Sequence, residues 1–291
     1  FFSGWMPSFR FSVKSFKQLF SFGSKLLLSS LLHTIYTNLY TMIIGLKFSA
    51  GELGFYNRAF TLAQFPSTNL TNVIVRAIYP IQCRLQDDHE QLYGMFLKYM
   101  RMACFFIFPV MIGLCALAEP LVRLLLTDKW LPAVPLLQIL CIAYMWDPVM
   151  KINHNMLNVK GRSDYFLYAE ILKKAVAFLI LFLTIPFGIK VMCAGLIIYS
   201  FADIVIITYY TRKLIGISLY IQFKELYPVI LLSFSMGAVM YGSVLIFQNV
   251  WLQFGIGMLS GSLYFLVLSR YFRFQEFIIL KEILSRKPKD K

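Results

Sequence analysis

The chain has 291 residues, of which 59% are hydrophobic and only 14% charged, with a formal net charge of +14. Soluble domains run at about 45–50% apolar and about 25% charged, so a mean hydropathy of +0.68 excludes an ordinary soluble enzyme, a disordered chain and a secreted disulfide scaffold. At about 20 residues per span plus short loops, a polytopic membrane protein of this length holds about eight helices.

The first residue is Phe1, and Phe1–Phe22 lacks the charged start, apolar run and small-residue cleavage site of a secretory signal. A natural N-terminal portion is therefore expected to precede it. Val13–Phe22 is basic and amphipathic and reads as a surface helix leading into the bilayer. The first span is predicted at Lys25–Phe48 and the second, unusually polar, at Gly54–Gln82 with Pro66 inside. The acidic turn at Asp87, Asp88 and Glu90 reads as solvated rather than catalytic, and a third span follows at Met95–Leu117. The short amphipathic segment Glu119–Val134 is expected in the interface, before a fourth span at Ala133–Val159. The fifth and sixth spans are predicted at Tyr165–Phe187 and Val191–Leu214. A second interfacial stretch, Ser218–Tyr227, precedes the seventh and eighth, Pro228–Phe247 and Val250–Ser269.

Placing the N-terminal stretch in the cytoplasm puts about 19 basic residues on cytoplasmic segments and only Lys47, Arg123, Lys129 and Lys190 opposite. Lys and Arg collect on cytoplasmic loops, so this asymmetry explains most of the +14 without a nucleic-acid partner. An odd number of spans would break the alternation.

The remaining basic residues, Arg58, Arg76, Lys151, Lys173 and Lys174, lie inside predicted spans. A charge at mid-membrane costs about 2.5–3.5 kcal/mol on insertion scales and normally faces a bundle interior or a watery cavity. Structural ion pairing and snorkelling at a helix end are the alternatives. Arg58 and Arg76 are 18 residues apart, which is about five whole turns, so they share one line, with Thr61, Asn69 and Asn72 close to it. On the first span Lys25, Ser29, His33, Tyr36, Thr37, Tyr40 and Thr41 keep helical spacing on one face. Tyr144, Asp147, Lys151, His154, Asn155 and Asn158 do so on the fourth, and Glu170 pairs with Lys174 on the fifth beside Lys173. Four polar faces imply a shared hydrated cavity, because lipid would leave them unsatisfied.

The candidate substrate-binding residues are thus Arg58, Arg76, Lys151, Lys173, Lys174, Lys25, His33, Asn69, Asn72 and Asp147. An excess of positive charge would select an anion bearing phosphate or pyrophosphate. Cancellation by Asp147, Glu170 and Asp203 is the competing expectation. The five cysteines form no CxxC pair and read as small core residues. His33, His89 and His154 have no zinc spacing, and no nucleotide-binding or nucleophile-elbow motif is present. No metal, cofactor or catalytic residue is expected, and the chain is read as a transporter rather than an enzyme.

Several segments in order resemble the polysaccharide-transporter family, the Wzx-type flippases of lipid-linked oligosaccharides within the multidrug/oligosaccharidyl-lipid/polysaccharide exporter superfamily. They are LGFYNRA at Leu53–Ala59, YP at Tyr79–Pro80, RLQDD at Arg84–Asp88 and FP at Phe108–Pro109. The longest, Ala118–Leu140, is followed by NMLN at Asn155–Asn158 and GRSD at Gly161–Asp164.

The resemblance implies an all-α, polytopic membrane helix bundle: the second six-helix lobe of a two-lobe exporter, plus two peripheral C-terminal helices. On that reading residues 1–22 are a cytoplasmic amphipathic linker and 23–214 the six-helix lobe. Residues 215–269 hold the two additional helices with their interfacial segment, and 270–291 are a basic cytoplasmic tail. The implied partners are a polyprenyl-pyrophosphate-linked oligosaccharide, membrane lipids, a missing N-terminal lobe of the same protein and a polysaccharide polymerase. The implied place is the bacterial inner membrane. Two other functions stay open: a cation-coupled multidrug exporter, and a membrane-embedded glycan transferase or ligase, which would need a large catalytic loop.

Overall fold

The computed structural model describes residues 12–278, and every regular element among them is helical. Residues 1–11 of the expected linker and 279–291 of the expected tail lie outside the described residues. Helices α1 (Val13–Lys47) and α2 (Ala50–Arg84) are followed by α3 (His89–Ala116) and the short α4 (Ala118–Leu126). After a 3₁₀ turn at Asp128–Ala133 come α5 (Val134–Tyr144), α6 (Asp147–Val159) and α7 (Ser163–Thr184). Helices α8 (Ile189–Ile215), α9 (Leu219–Ile246) and α10 (Val250–Tyr271) complete the bundle.

The first difference from expectation is continuity. The surface helix and the first span are one helix of 35 residues, capped by the Ser12 hydroxyl. Only Gly23 weakens the junction, and an interior glycine costs about 1 kcal/mol rather than a break. The interfacial stretch at Ser218–Tyr227 likewise runs straight into the seventh span, with Ser218 as the cap of α9. The acidic turn has a structural use: Asp88 caps α3 by accepting from the Gln91 N–H.

The second difference is a break. The expected fourth span is two helices, α5 and α6, parted at Met145–Trp146. Pro148 has no N–H and so cannot bond the carbonyl of Tyr144 four residues back. That orphaned carbonyl accepts from the Ser67 hydroxyl of α2 at 2.7 Å, and the carbonyl of Ala143 accepts from Ser200 of α8 at 3.0 Å. The break is thus held from both sides by hydroxyls, as the hydrocarbon environment demands.

Five segments among the described residues are long and apolar enough to cross a membrane. They are α3, the α5–α6 pair with its preceding turn, α8, α9 and α10. The other three expected spans fall on α1, α2 and α7, which have 35, 35 and 22 residues. These have the length, and their polar faces lower the hydropathy. The dry side of the bundle is built differently. Gly113, Gly237 and Gly261 let α3, α9 and α10 close in: a Cβ on Gly237 would stand 2.4 Å from Ile112, and one on Gly261 2.2 Å from Met240. Small residues allow this approach where no hydrophobic effect drives helix pairing. Most of α10 faces outward, whereas Leu226, Val229 and Leu232 of α9 join the main core. A reciprocal buried amide pair, Gln222 with Asn153 at 2.9 and 3.1 Å, ties α9 to α6.

By the charge pattern of the sequence, the end that holds Lys160, Arg101 and Arg162 is expected on the cytoplasmic side. At one end Lys160 donates to the Gln86 carbonyl, and Arg101 joins Glu225 at 2.9 Å and Glu276 at 2.7 Å. There the Arg162 fork hydrogen-bonds Asp164 at 2.9 and 2.7 Å, which holds that carboxyl below its ordinary range. At the other end Arg58 lies 5.5 Å from the ring centre of Trp130, and Leu117 packs at Gly257. Cysteines at Gln248 and Gly161 should therefore label from opposite faces, Gly161 from the cytoplasm. Labelling of both from one face would overturn the alternation.

Candidate functional site

A cavity of about 580 Å³ opens among α1, α2, α5, α6, α7 and α8. Its walls come from the polar faces of those helices: Ser29, His33 and Thr37 of α1; Gln64, Thr68 and Asn72 of α2; Asp147, Lys151, His154 and Asn155 of α6. Glu170, Lys173 and Lys174 enter from α7, and Tyr199, Ser200 and Asp203 from α8.

Glu170 is the hub. Its Oε1 takes Lys173 Nζ in a close ion pair and lies 3.2 Å from His154 Nε2, while its Oε2 is 3.8 Å from Lys174 Nζ. Lys173 Nζ also meets His154 Nε2 closely and stands 3.4 Å from Asp203 Oδ1. Glu170, Lys173, Lys174 and Asp203 are each less than 7% exposed. Lys174 Nζ is 3.2 Å from both His33 Nδ1 and the Tyr199 hydroxyl, and 4.8 Å from the ring centre of Tyr36. Asp147 accepts from Thr68 at 3.1 Å and pairs with Lys151 at 3.2 Å. Asp147 reaches the cavity because the break before Pro148 re-aims the start of α6. Below it, an aromatic cluster of Tyr36, Tyr40 and Tyr56 docks α1, and Tyr40 donates to the Met192 carbonyl at 2.9 Å.

Six of the expected site residues meet in this lining: His33, Asn72, Asp147, Lys151, Lys173 and Lys174. The other four do not. Arg58 is exposed and stacks toward Trp130, Arg76 and Asn69 are exposed, and Lys25 stands a turn before the first lining residue of α1. The reason is rotational. On α2 the cavity-facing line passes through Gln64, Thr68 and Val75, about 80–120° from the Arg58–Arg76 line at 100° per residue, with Asn72 between. With both arginines outside the lining, the charged cavity residues are Lys151, Lys173 and Lys174 against Asp147, Glu170 and Asp203. The expected positive excess is therefore replaced by the competing expectation, a formal balance. Of α8 the sequence reading named Asp203 alone; Tyr199 and Ser200, which join it in the lining, were missed.

The architecture is that of a multi-pass membrane helix bundle. Against solved structures, it superposes on "Lipid II flippase MurJ, inward closed conformation", with a TM-score of 0.72, 14% identity, and coverage of 91% of this chain and 57% of that one. Residues 1–135 match the family model described as "Polysaccharide biosynthesis protein". The teichuronic acid biosynthesis protein TuaB of Bacillus subtilis (strain 168) is 27% identical over 91% of this chain and 56% of its own length. The lipopolysaccharide biosynthesis protein WzxC of Escherichia coli (strain K12) is 31% identical over 54% of this chain and 32% of its own. The resemblance to the polysaccharide-transporter family is borne out, and the chain spans about half the length of TuaB and about a third of that of WzxC.

Removing one partner of a buried ion pair strands the others, at a cost of about 3–5 kcal/mol. Glu170→Gln should accordingly lower the unfolding temperature of the detergent-solubilised protein by several degrees. Arg58→Gln and Arg76→Gln, both exposed, should leave it within about a degree. Equal losses for all three would contradict this division.

Proposed function

We propose that this chain forms the charged half-cavity of a flippase that moves lipid-linked oligosaccharides across the bacterial inner membrane. The product would serve lipopolysaccharide, capsule or exopolysaccharide assembly, and the protein would act as a transporter, not an enzyme. The observation that carries this reading is the cavity itself: buried ammonium groups, amides, hydroxyls and tyrosines inside an apolar helix bundle. Its volume lies within the roughly 300–1,000 Å³ of small-molecule sites. It suits the phosphates and first sugars of a head group, with the polyprenyl tail left in the bilayer. The names of the relatives support the same reading: teichuronic acid and lipopolysaccharide biosynthesis, and a lipid flippase for the structural match.

Lys151 is the residue to test, because it lines the cavity and is about a third exposed, and its partner Asp147 keeps the Thr68 hydrogen bond when it is replaced. In the full-length protein, Lys151→Gln should reduce surface polysaccharide at least tenfold with normal membrane abundance, and Lys151→Arg should keep part of it. Deleting the gene should trap the lipid-linked precursor on the cytoplasmic leaflet. Precursor on the outer leaflet that is never transferred would point to a ligase, and altered drug susceptibility with normal polysaccharide to a multidrug exporter. Full export by Lys151→Gln would remove Lys151 from the substrate path.

A further inference from the structure

The balance of three ammonium groups against three carboxylates leaves the cavity with no net charge while its histidines are neutral. An anionic head group entering such a site gains little Coulomb energy from it. One group can change that. His154 is held on α6 with its ring edge against Phe166, 4.7 Å between ring centres, and its Nε2 faces two partners of opposite sign. Glu170 Oε1 lies at 3.2 Å, and Lys173 Nζ is in close contact. A neutral imidazole accepts from Lys173 through this nitrogen. A protonated one must donate, and Glu170 is the acceptor in reach.

Lys173 then needs another partner, and the structure holds one. Asp203 Oδ1 on α8 is buried without a hydrogen bond and sits 3.4 Å from Lys173 Nζ. His33 is differently placed: its Nδ1 faces the Lys174 ammonium at 3.2 Å, so a proton there would break that hydrogen bond and oppose two like charges. The remaining neighbours do not compete. Lys151 is engaged by Asp147, α2 brings the uncharged Phe60, Gln64, Thr68, Asn72 and Val75 to the lining, and Arg101 of α3 is held by Glu225 and Glu276.

We propose that His154 is a proton site that charges the cavity: a proton on Nε2 hands Glu170 to His154, moves Lys173 to Asp203, and supplies the net positive charge that an anionic head group needs. The proton comes from solvent, one per site, and both lysines keep theirs. Imidazole is the side chain whose charge change falls naturally between about pH 5 and 8. By linkage, a proton that strengthens anion binding is itself bound more tightly when the anion is present. The inference rests on the anionic-substrate reading above and adds its proton dependence.

The full-length protein in lipid nanodiscs allows a direct test, since the chain has 3 histidines, His33, His89 and His154. With ¹⁵N-labelled histidine, each imidazole is followed by NMR across that pH range, with and without a nucleotide sugar. This probe is a pyrophosphate diester bearing a sugar, and its own charge is constant there. The probe should raise the titration midpoint of His154 and leave that of His33 unmoved. Its affinity should rise about tenfold from the alkaline to the acid side of that midpoint, a change set by the linked proton, and be independent of pH in His154→Gln. Probe binding with an unmoved His154 midpoint would overturn this inference and leave the anion reading standing. No probe binding at any pH would overturn both.

Discussion

The carboxylate of Glu170 is the point on which the wet side of the bundle depends. Two ammonium groups and an imidazole converge on it from α6 and α7. Through Lys174 the same cluster reaches His33 of α1, and through Lys173 it reaches Asp203 of α8. Charges buried in a medium of low dielectric are tolerated when paired and hydrogen-bonded, and are costly alone. The cluster therefore fixes which faces of these helices can turn inward. A rotation of α7 by one residue, about 100°, would carry its charges toward lipid.

The backbone obeys the same constraint. Pro148 frees a carbonyl in the middle of the bundle, and Ser67 of α2 supplies the missing donor. In exchange, the interruption starts a new helix at Asp147 and aims that carboxylate at Thr68 and Lys151. On the opposite side, where α3, α9 and α10 meet, polar links stand toward the two ends of α9: Ser243 of α9 donates to the Gln253 carbonyl of α10 at 2.9 Å, and Arg101 of α3 pairs with Glu225 of α9. Glycines and methionine contacts bring the helices together, and an apolar cleft of about 620 Å³ lies beside them, lined by residues such as Phe65, Phe105 and Met258. The bundle is thus polarised, one flank charged and the other apolar.

The helices were legible in the sequence because hydropathy and helical spacing are averages over many residues. The polar faces of α1, α6 and α7 were legible for the same reason, since several side chains on each share one line. What escaped was rotation and interruption. On α2 two arginines at whole-turn spacing outweighed Gln64 and Thr68, which are weaker signals that in fact face the cavity. Long basic side chains near helix ends find water or an aromatic face on their own, as Arg58 does at Trp130. The break before Pro148 was hidden because Pro66, Pro80 and Pro109 stand in helices that run on through them. Asp203 was read only as a charge that cancels part of the positive excess, because the partner it meets, Lys173, is 30 positions away in the chain.

Charge balance bears on how such a cavity can work at all. A site with a fixed excess of lysine and arginine would attract an anion strongly and release it slowly. A site whose cations already own carboxylate partners must give up part of those pairings to hold a phosphate, so the substrate's charge exchanges for charges already present. Net binding is then a small difference between large terms, as it is for ion pairs generally. A carrier needs that condition, because tight binding in one orientation becomes a barrier to release in the other. On the proposed reading, Glu170 and Asp203 would act as competitors that hold the lysines until a head group arrives and take them back when it leaves. On that reading Lys151, paired once and partly exposed, would meet the entering anion at lowest cost, whereas Lys173 and Lys174, nearly wholly buried, would set the field behind it.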